Sequence, residues 1–206
     1  MLYTGMAKLD NSRRTGIFGG TFNPIHIGHL INLEFIREKY SLDRVFVIPA
    51  KVPVHKNITD SIDPADRLEM VKLAFSGNRF VEISEIEINR ESPSYTIITL
   101  EDIRHLFPDD ELYLIIGSDS FNELDTWKSY KEILAEIPLI IMKRPGSTKL
   151  RDDLLLLALE VNVFENPLIE ISSSMIRERI KNNLSVRYLI PDAVADYIYK
   201  KRLYIT

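Results

Sequence analysis

Residues 19–30 read GGTFNPIHIGHL, and this stretch decides the fold. A short apolar run, Thr15–Gly19, leads into the pair Gly19-Gly20, and a turn at Asn23-Pro24 follows. From His29 the apolar spacing becomes helical: His29, Leu33, Ile36 and Tyr40 fall at i, i+4, i+7 and i+11, a stripe along one helix face. Strand, glycine turn and helix in that order open a parallel α/β unit. Glycines after a strand let backbone approach a ligand closely. A helix N-terminus offers unpaired N–H groups and partial positive charge, which suit phosphate.

Working outward, the chain keeps alternating. Further strand candidates are Val45–Ile48, Val81–Ile88, Glu111–Ile116, Leu139–Met142 and a last short one, Leu168–Ile171. In Val81–Ile88 the apolar period slips, which predicts a bulge or bend. Helical patterns cover His29–Tyr40, Pro64–Ser76, Thr96–Phe107, Lys131–Glu136, Leu150–Leu159, Ser174–Asn182 and Pro191–Lys200. This alternation predicts a parallel sheet covered on both faces, with ligands beyond the C-terminal strand ends where strand order reverses.

Composition narrows the function classes. The chain has 206 residues, 26 Lys+Arg against 30 Asp+Glu, a net charge of −4 and no Cys. That length suits one domain with a sizeable core. Absence of Cys removes disulfides, thiolate metal sites and thiol nucleophiles. The acidic balance speaks against a general nucleic-acid or membrane-surface binder. No window reaches the roughly 18 apolar residues of a membrane span, and no signal-peptide pattern opens the chain. A cytoplasmic protein is the expectation. Residues 1–14 read as a frayed extension, and residues 15–206 as a single domain.

Two motifs carry chemistry. In the first, His26 and His29 stand three apart at the helix mouth, where each imidazole can donate to phosphate oxygens. It is neither a Walker A loop nor the dinucleotide G-x-G-x-x-G fingerprint. Zinc at His-x-x-His needs further ligands that the chain does not offer nearby, and simple capping of the helix by both histidines stands as the other reading. The second motif is ISSSMIRERI, Ile171–Ile180. Here Ser174 is a natural N-cap with Met175 opening a helix, and Arg177 and Lys181 lie one turn apart. A capped surface helix is the plain alternative.

Together the motifs resemble the nucleotidylyltransferase superfamily, whose signatures are T/GxFxPxHxGH near the start and I-S-S/A-T-x-I-R near the end. The middle of the chain resembles bacterial nicotinate-nucleotide adenylyltransferases along almost its whole length. The similar segments are IPAKVPVHK (Ile48–Lys56), DRLEMVKLAF (Asp66–Phe75), SPSYTIITL (Ser92–Leu100), LIIGSDSFNELDTWKSY (Leu114–Tyr130), KRPG (Lys143–Gly146) and YLIPDAVADYI (Tyr188–Ile198). Asn23 stands where that family more often has Asp, Val54 where it has Pro, and Ser174 where Thr is commoner.

The resemblance implies a Rossmann-like doubly wound sheet of nucleotidylyltransferase type. It implies transfer of the adenylyl group of ATP to nicotinate mononucleotide, a step of NAD biosynthesis. Gly19, Gly20, Thr21, Phe22, His26, His29, Gly117, Asp119, Ser173, Ser174 and Arg177 are then the ATP contacts. Lys56, Ser94, Tyr95, Thr96 and Trp127 are the mononucleotide contacts, with His26, His29, Lys56 and Arg177 catalytic. His55 lies beside Lys56 in the same polar loop, and the role of Arg144 stays open. Mg²⁺ is expected through the ATP phosphates, with no metal held by the protein itself. The partners are small molecules, not nucleic acid or membrane, and a homo-oligomer is allowed. Nicotinamide mononucleotide as acceptor, a nucleotide-sensing module without turnover, and an RNA-handling fragment of synthetase type are the alternatives.

Overall fold

Arg44–Pro49 is buried at every position, as a strand with packed layers on both sides must be. It is β2 of six parallel strands: β1 Arg14–Gly20, β2 Arg44–Pro49, β3 Val81–Ile83, β4 Glu111–Gly117, β5 Leu139–Lys143 and β6 Val161–Glu165. The computed structural model describes residues 12–52, 62–91, 93–143, 149–165, 167 and 169–205. The sheet order is β3-β2-β1-β4-β5-β6. Strand order reverses between β1 and β4, which pair through Arg14↔Glu111 to Ile17↔Leu114. On its other side β1 pairs with β2 from Thr15↔Arg44 to Gly20↔Pro49.

The helices are α1 Ile27–Lys39, α2 Pro64–Ala74, α3 Thr96–Leu106, α4 Ser118–Asn122, α5 Tyr130–Glu136, α6 Asp152–Leu155, α7 Ser173–Lys181 and α8 Asp192–Lys201. A 3₁₀ turn, Leu124–Thr126, follows α4. Strand side chains alternate between two cores. Val45, Val47, Ile115 and Ile140 face a core built with α1, α2, α7 and α8. Phe46, Ile48, Leu114 and Ile141 face one built with α3, α4, α5 and Leu154 of α6. The alternation is the period of two of a strand, buried on both faces. At the N-terminal edge of the sheet, Arg44 donates to Asp110 at 2.7 Å and to Thr15 Oγ1 at 3.1 Å. This charged cluster lies at the end of the sheet opposite Gly19-Gly20.

Several expectations need correction. The sixth strand is Val161–Glu165, not Leu168–Ile171, whose described residues form no strand. It is an edge strand with only Phe164 fully buried, so its sequence lacks the apolar run of the inner strands. The expected strand Val81–Ile88 ends at Ile83, where pairing with β2 stops, and the chain then turns with Asn89 N–H bonding the Glu85 carbonyl at 2.9 Å. Leu150–Leu159 is helical only over Asp152–Leu155, because Leu156, Leu157 and Leu159 are exposed and have no core to join. Arg14 belongs to β1 rather than to an extension, and the Arg13 carbonyl accepts from Glu111 N at 2.9 Å. Residues 1–11 lie outside the described residues.

The cap of α7 also moves. Ser172, with extended φ −131° and ψ 151°, is the N-cap, and its side chain accepts from Met175 N. Ser174 is thereby released from capping. Ser172→Ala is expected to cost about 1 kcal/mol of stability, whereas Ser174→Ala should leave the cap intact. Urea denaturation of the two variants checks this, and a loss confined to Ser174→Ala would return the cap to Ser174.

Candidate active site

A cavity of about 170 Å³ opens at the C-terminal ends of β1, β2 and β4. It therefore sits where strand order reverses, the position expected for a ligand in such a sheet. Gly19 and Gly117 lie on its wall, and a Cβ at either would meet nothing within 4 Å. Space is thus kept for a ligand against bare backbone. Thr21, Ser94, Thr96, Thr99, Glu87 and Trp127 contribute polar and aromatic parts of the wall.

Beside the cavity, the β1–α1 connection is bent into one compact unit. Phe22 holds a left-handed φ of 48°, a costly conformation for an aromatic residue. Burial retains it: its ring meets Phe18 at 5.6 Å and His29 at 5.4 Å, both edge-on. The Asn23-Pro24 peptide is cis. His26 is the N-cap of α1, and its ring stacks on that of His29 with centroids 3.7 Å apart. His26 N–H donates to His29 Nδ1 at 3.2 Å. A neutral His29 ring therefore carries its proton on Nε2, the atom that can donate to a phosphate oxygen.

The α7 mouth comes to the same turn from about 150 residues away in sequence. Ser173 Oγ donates to the Pro24 carbonyl at 2.8 Å, and Arg177 donates to the Asn23 carbonyl at 2.9 Å. Arg177 also donates to Ser174 Oγ at 3.3 Å, and Ser174 is exposed. Imidazole, hydroxyl and guanidinium donors are thus gathered at two helix N-termini, the environment an anion seeks.

The other wall is built by α3. Tyr95 is its N-cap, Thr96 its first residue, and the buried Ser94 Oγ accepts from Lys51 N at 3.0 Å. Trp127, partly buried against the α3/α5 core, forms the rim. Glu87 is buried here and accepts from Thr99 Oγ1 at 2.7 Å. Burial raises its carboxyl above the ordinary carboxylate value, while hydrogen bonds from Thr99 and Ser94 and the field of Arg90 oppose the rise.

Not every expected residue lines the cavity: His26, His29, Ser173, Ser174 and Arg177 gather around the neighbouring turn rather than on its wall. Phe22 and Tyr95 are not on its wall: Phe22 is spent in packing, and the Tyr95 ring lies under the Lys128 ammonium at 4.7 Å. Asp119 is exposed in the first turn of α4, capped by Gly117, and Ser120 and Glu123 of the same segment line the cavity instead. His55, Lys56 and Arg144 lie outside the described residues. Sequence reading missed Glu87, although a carboxylate wedged between Ile86 and Ile88 was a visible signal. It also missed Tyr204, which donates to Asn23 Oδ1 at 2.7 Å.

Tyr204 supplies a pH test. Burial pushes its phenol well above the ordinary value of 10.0, against the fields of Arg177 and Arg67. The unfolded chain ionises this phenol first, so its contribution to stability is whole below pH 10.0 and is lost as pH rises above it. Tyr197, pushed up to about 12 by burial and by its bond to Asp66, acts in the same sense. Tyr204→Phe is therefore expected to lose less melting temperature than the wild type between about pH 8 and 11. Parallel curves would remove Tyr204 from the titration.

A switch-point cavity beside two helix N-termini that gather imidazole, hydroxyl and guanidinium donors is the arrangement of a nucleotide-handling α/β protein. The cytidylyltransferase-like family model matches residues 17–179. A Geobacter sp. (strain M21) protein called "Probable nicotinate-nucleotide adenylyltransferase" is 42% identical, over 93% of this chain and 98% of that one. A Desulfitobacterium hafniense (strain Y51) protein of the same name is 40% identical, over 93% and 96%. The same fold occurs in the Plasmodium falciparum nicotinic acid mononucleotide adenylyltransferase complexed with NaAD, at TM-score 0.79 and 22% identity, covering 93% of this chain and 97% of that one. The chain belongs to the cytidylyltransferase-like family and, within it, to the nicotinate-nucleotide adenylyltransferases.

Proposed function

We propose that this chain transfers the adenylyl group of ATP to nicotinate mononucleotide, giving nicotinate adenine dinucleotide and pyrophosphate in NAD biosynthesis. One observation carries the reading: the His26–His29 stack and the Ser173/Arg177 mouth converge on one turn beside a cavity walled by Ser94, Thr96 and Trp127. The relatives named for this activity, matched over nearly their whole length, support it.

The 5′-phosphate of the mononucleotide attacks the α-phosphorus of ATP in line, and pyrophosphate leaves with the P–O bond electrons. A phosphate near neutral pH is already a competent nucleophile, so no base and no covalent enzyme intermediate are needed. The protein's task is to align two anions and to meet the charge that builds on the transferring phosphorus and the leaving group. His26 and His29 serve the α- and β-phosphates, and Ser174 and Arg177 hold the leaving pyrophosphate. Gly19, Gly20 and Thr21 present backbone to the nucleotide, and Gly117 gives it room. Lys56 offsets repulsion between the substrates. Trp127 stacks on the pyridine ring, and N–H groups at the α3 mouth meet the nicotinate carboxylate. ATP is taken as its Mg²⁺ complex: the gathered donors are imidazole, hydroxyl and guanidinium, whereas Mg²⁺ seeks anionic oxygens, which the triphosphate supplies. We place the protein in the cytoplasm; among the described residues no helix is long and apolar enough to cross a membrane.

The test is pyrophosphate release from the purified protein with Mg-ATP, offered nicotinate mononucleotide, nicotinamide mononucleotide and 4′-phosphopantetheine separately. Preferred turnover of the first is expected. Turnover with another acceptor alone would discard the acceptor assignment, and ATP binding without turnover would favour a sensing module.

A further inference from the structure

The β1–β2 ladder runs out at Gly20↔Pro49, closed by the bond from Ala50 N to the Gly20 carbonyl at 2.9 Å. Beyond that point the two chains diverge. One becomes the Thr21–Pro24 turn that leads to the histidines, and the other becomes the Lys51 segment. The side chain that reconnects them is Arg67 of α2. Its Nη1 donates to the Thr21 carbonyl at 2.8 Å and its Nη2 to the Lys51 carbonyl at 3.0 Å. Arg67 is 0% exposed. No carboxylate among the described residues forms an ion pair with it; Asp63 and Tyr204 act on it only through their fields. A buried cation without an ion-pair partner is expensive, and structural packing alone would be better served by an apolar residue.

What the guanidinium gains is geometry. Its planar fork fixes two acceptors at one spacing, which a Lys ammonium on a flexible stem cannot do. The link continues to both halves of the site. Thr21 opens the turn that carries His26 and His29, while Lys51 N–H donates to Ser94 Oγ on the acceptor wall. Arg67 thus sits behind the joint between the phosphate loop and the acceptor half of the cavity.

We infer that Arg67 is a positioning residue, touching neither substrate, that sets the spacing between the ATP-phosphate loop and the acceptor pocket. This rests on the adenylyl-transfer reading, because only a reaction between two separately held anions needs that spacing fixed. A misplacement of about 1 Å between reacting groups can cost roughly 100-fold in rate.

The test is Arg67→Lys, which keeps the charge and loses the fork. Four quantities are read: kcat, the KM of each substrate, melting temperature, and affinity for nicotinate adenine dinucleotide, which spans both halves. The expected result is a kcat loss of about 10- to 100-fold. Both KM values should stay within about threefold, the melting temperature should stay near wild type, and dinucleotide affinity should fall although each substrate alone still binds. Wild-type kcat in the variant would overturn the inference. So would a parallel fall of melting temperature, kcat and every affinity, which marks a purely structural residue. If Arg67→Lys does not fold, Arg67→Gln is read in the same way, and failure of both to fold makes the residue structural and overturns the inference. Wild-type protein assayed alongside separates the two claims: no wild-type turnover defeats the adenylyl-transfer reading, whereas wild-type turnover matched by the variant defeats only the role of Arg67.

Discussion

His29→Ala is expected to lower kcat by at least about 10²–10³, the usual cost of removing one preorganised donor to transition-state charge. The ring has a fixed place to lose. His29 Nδ1 is occupied by the His26 N–H, its face stacks on His26, and the Phe22 ring meets it edge-on. Those contacts aim a single proton-bearing nitrogen, so little reorganisation is left for the moment of transfer. Folding should survive, because His29 is only half-buried and the core stripe of α1 is carried by Leu33 and Ile36. Turnover at saturating substrates and a thermal melt of the same sample decide the matter. Near-normal turnover removes His29 from the chemistry, and an unfolded variant would show that its stacking was structural.

Trp127→Ala is expected to act on binding. An aromatic stack on a base is worth about 1–3 kcal/mol, so KM for the mononucleotide should rise about 5- to 150-fold while kcat at saturation changes little. Trp127 follows the 3₁₀ turn and stands at the rim of the cavity, partly buried against the core that α3, α4 and α5 share. The proposed ATP-phosphate contacts belong to the β1–α1 turn and the α7 mouth, which hold each other through Ser173 and Arg177, so the ATP constant should stay fixed. A rise in the ATP constant alone would place the adenine, not the pyridine, against this side chain.

How much the sequence disclosed varied with how local the determinant was. The β1–α1 junction was legible because its glycines, turn and apolar stripe are all local signals, and the structure starts α1 at Ile27, two residues before His29. The inner strands were legible because burial on both faces leaves unbroken apolar runs. The edge strand Val161–Glu165 was not, since a half-solvated strand mixes Asn and Glu among its valines. The run of three serines before α7 could be capped by any of them; backbone dihedrals at Ser172, set by where the chain arrives from Ile171, chose the first. Glu87, despite its apolar neighbours, and Arg67 were passed over for a different reason. A charged side chain in a sequence reads as solvated, and only the packing of α2 and α3 against the sheet buries these two. Ser94, Thr96 and Trp127 were assigned to the pocket through family resemblance, and they do line the cavity. Tyr95, assigned in the same way, does not, and Asp119, assigned to ATP, stands exposed in the first turn of α4.

The most direct measurement is a competition. Purified protein receives limiting Mg-ATP with equal nicotinate mononucleotide and nicotinamide mononucleotide, and the two dinucleotides are separated and quantified. A large excess of nicotinate adenine dinucleotide, matched one-to-one by pyrophosphate, is the expected result. An excess of the nicotinamide product, or ATP consumed with neither dinucleotide formed, would contradict the assigned reaction.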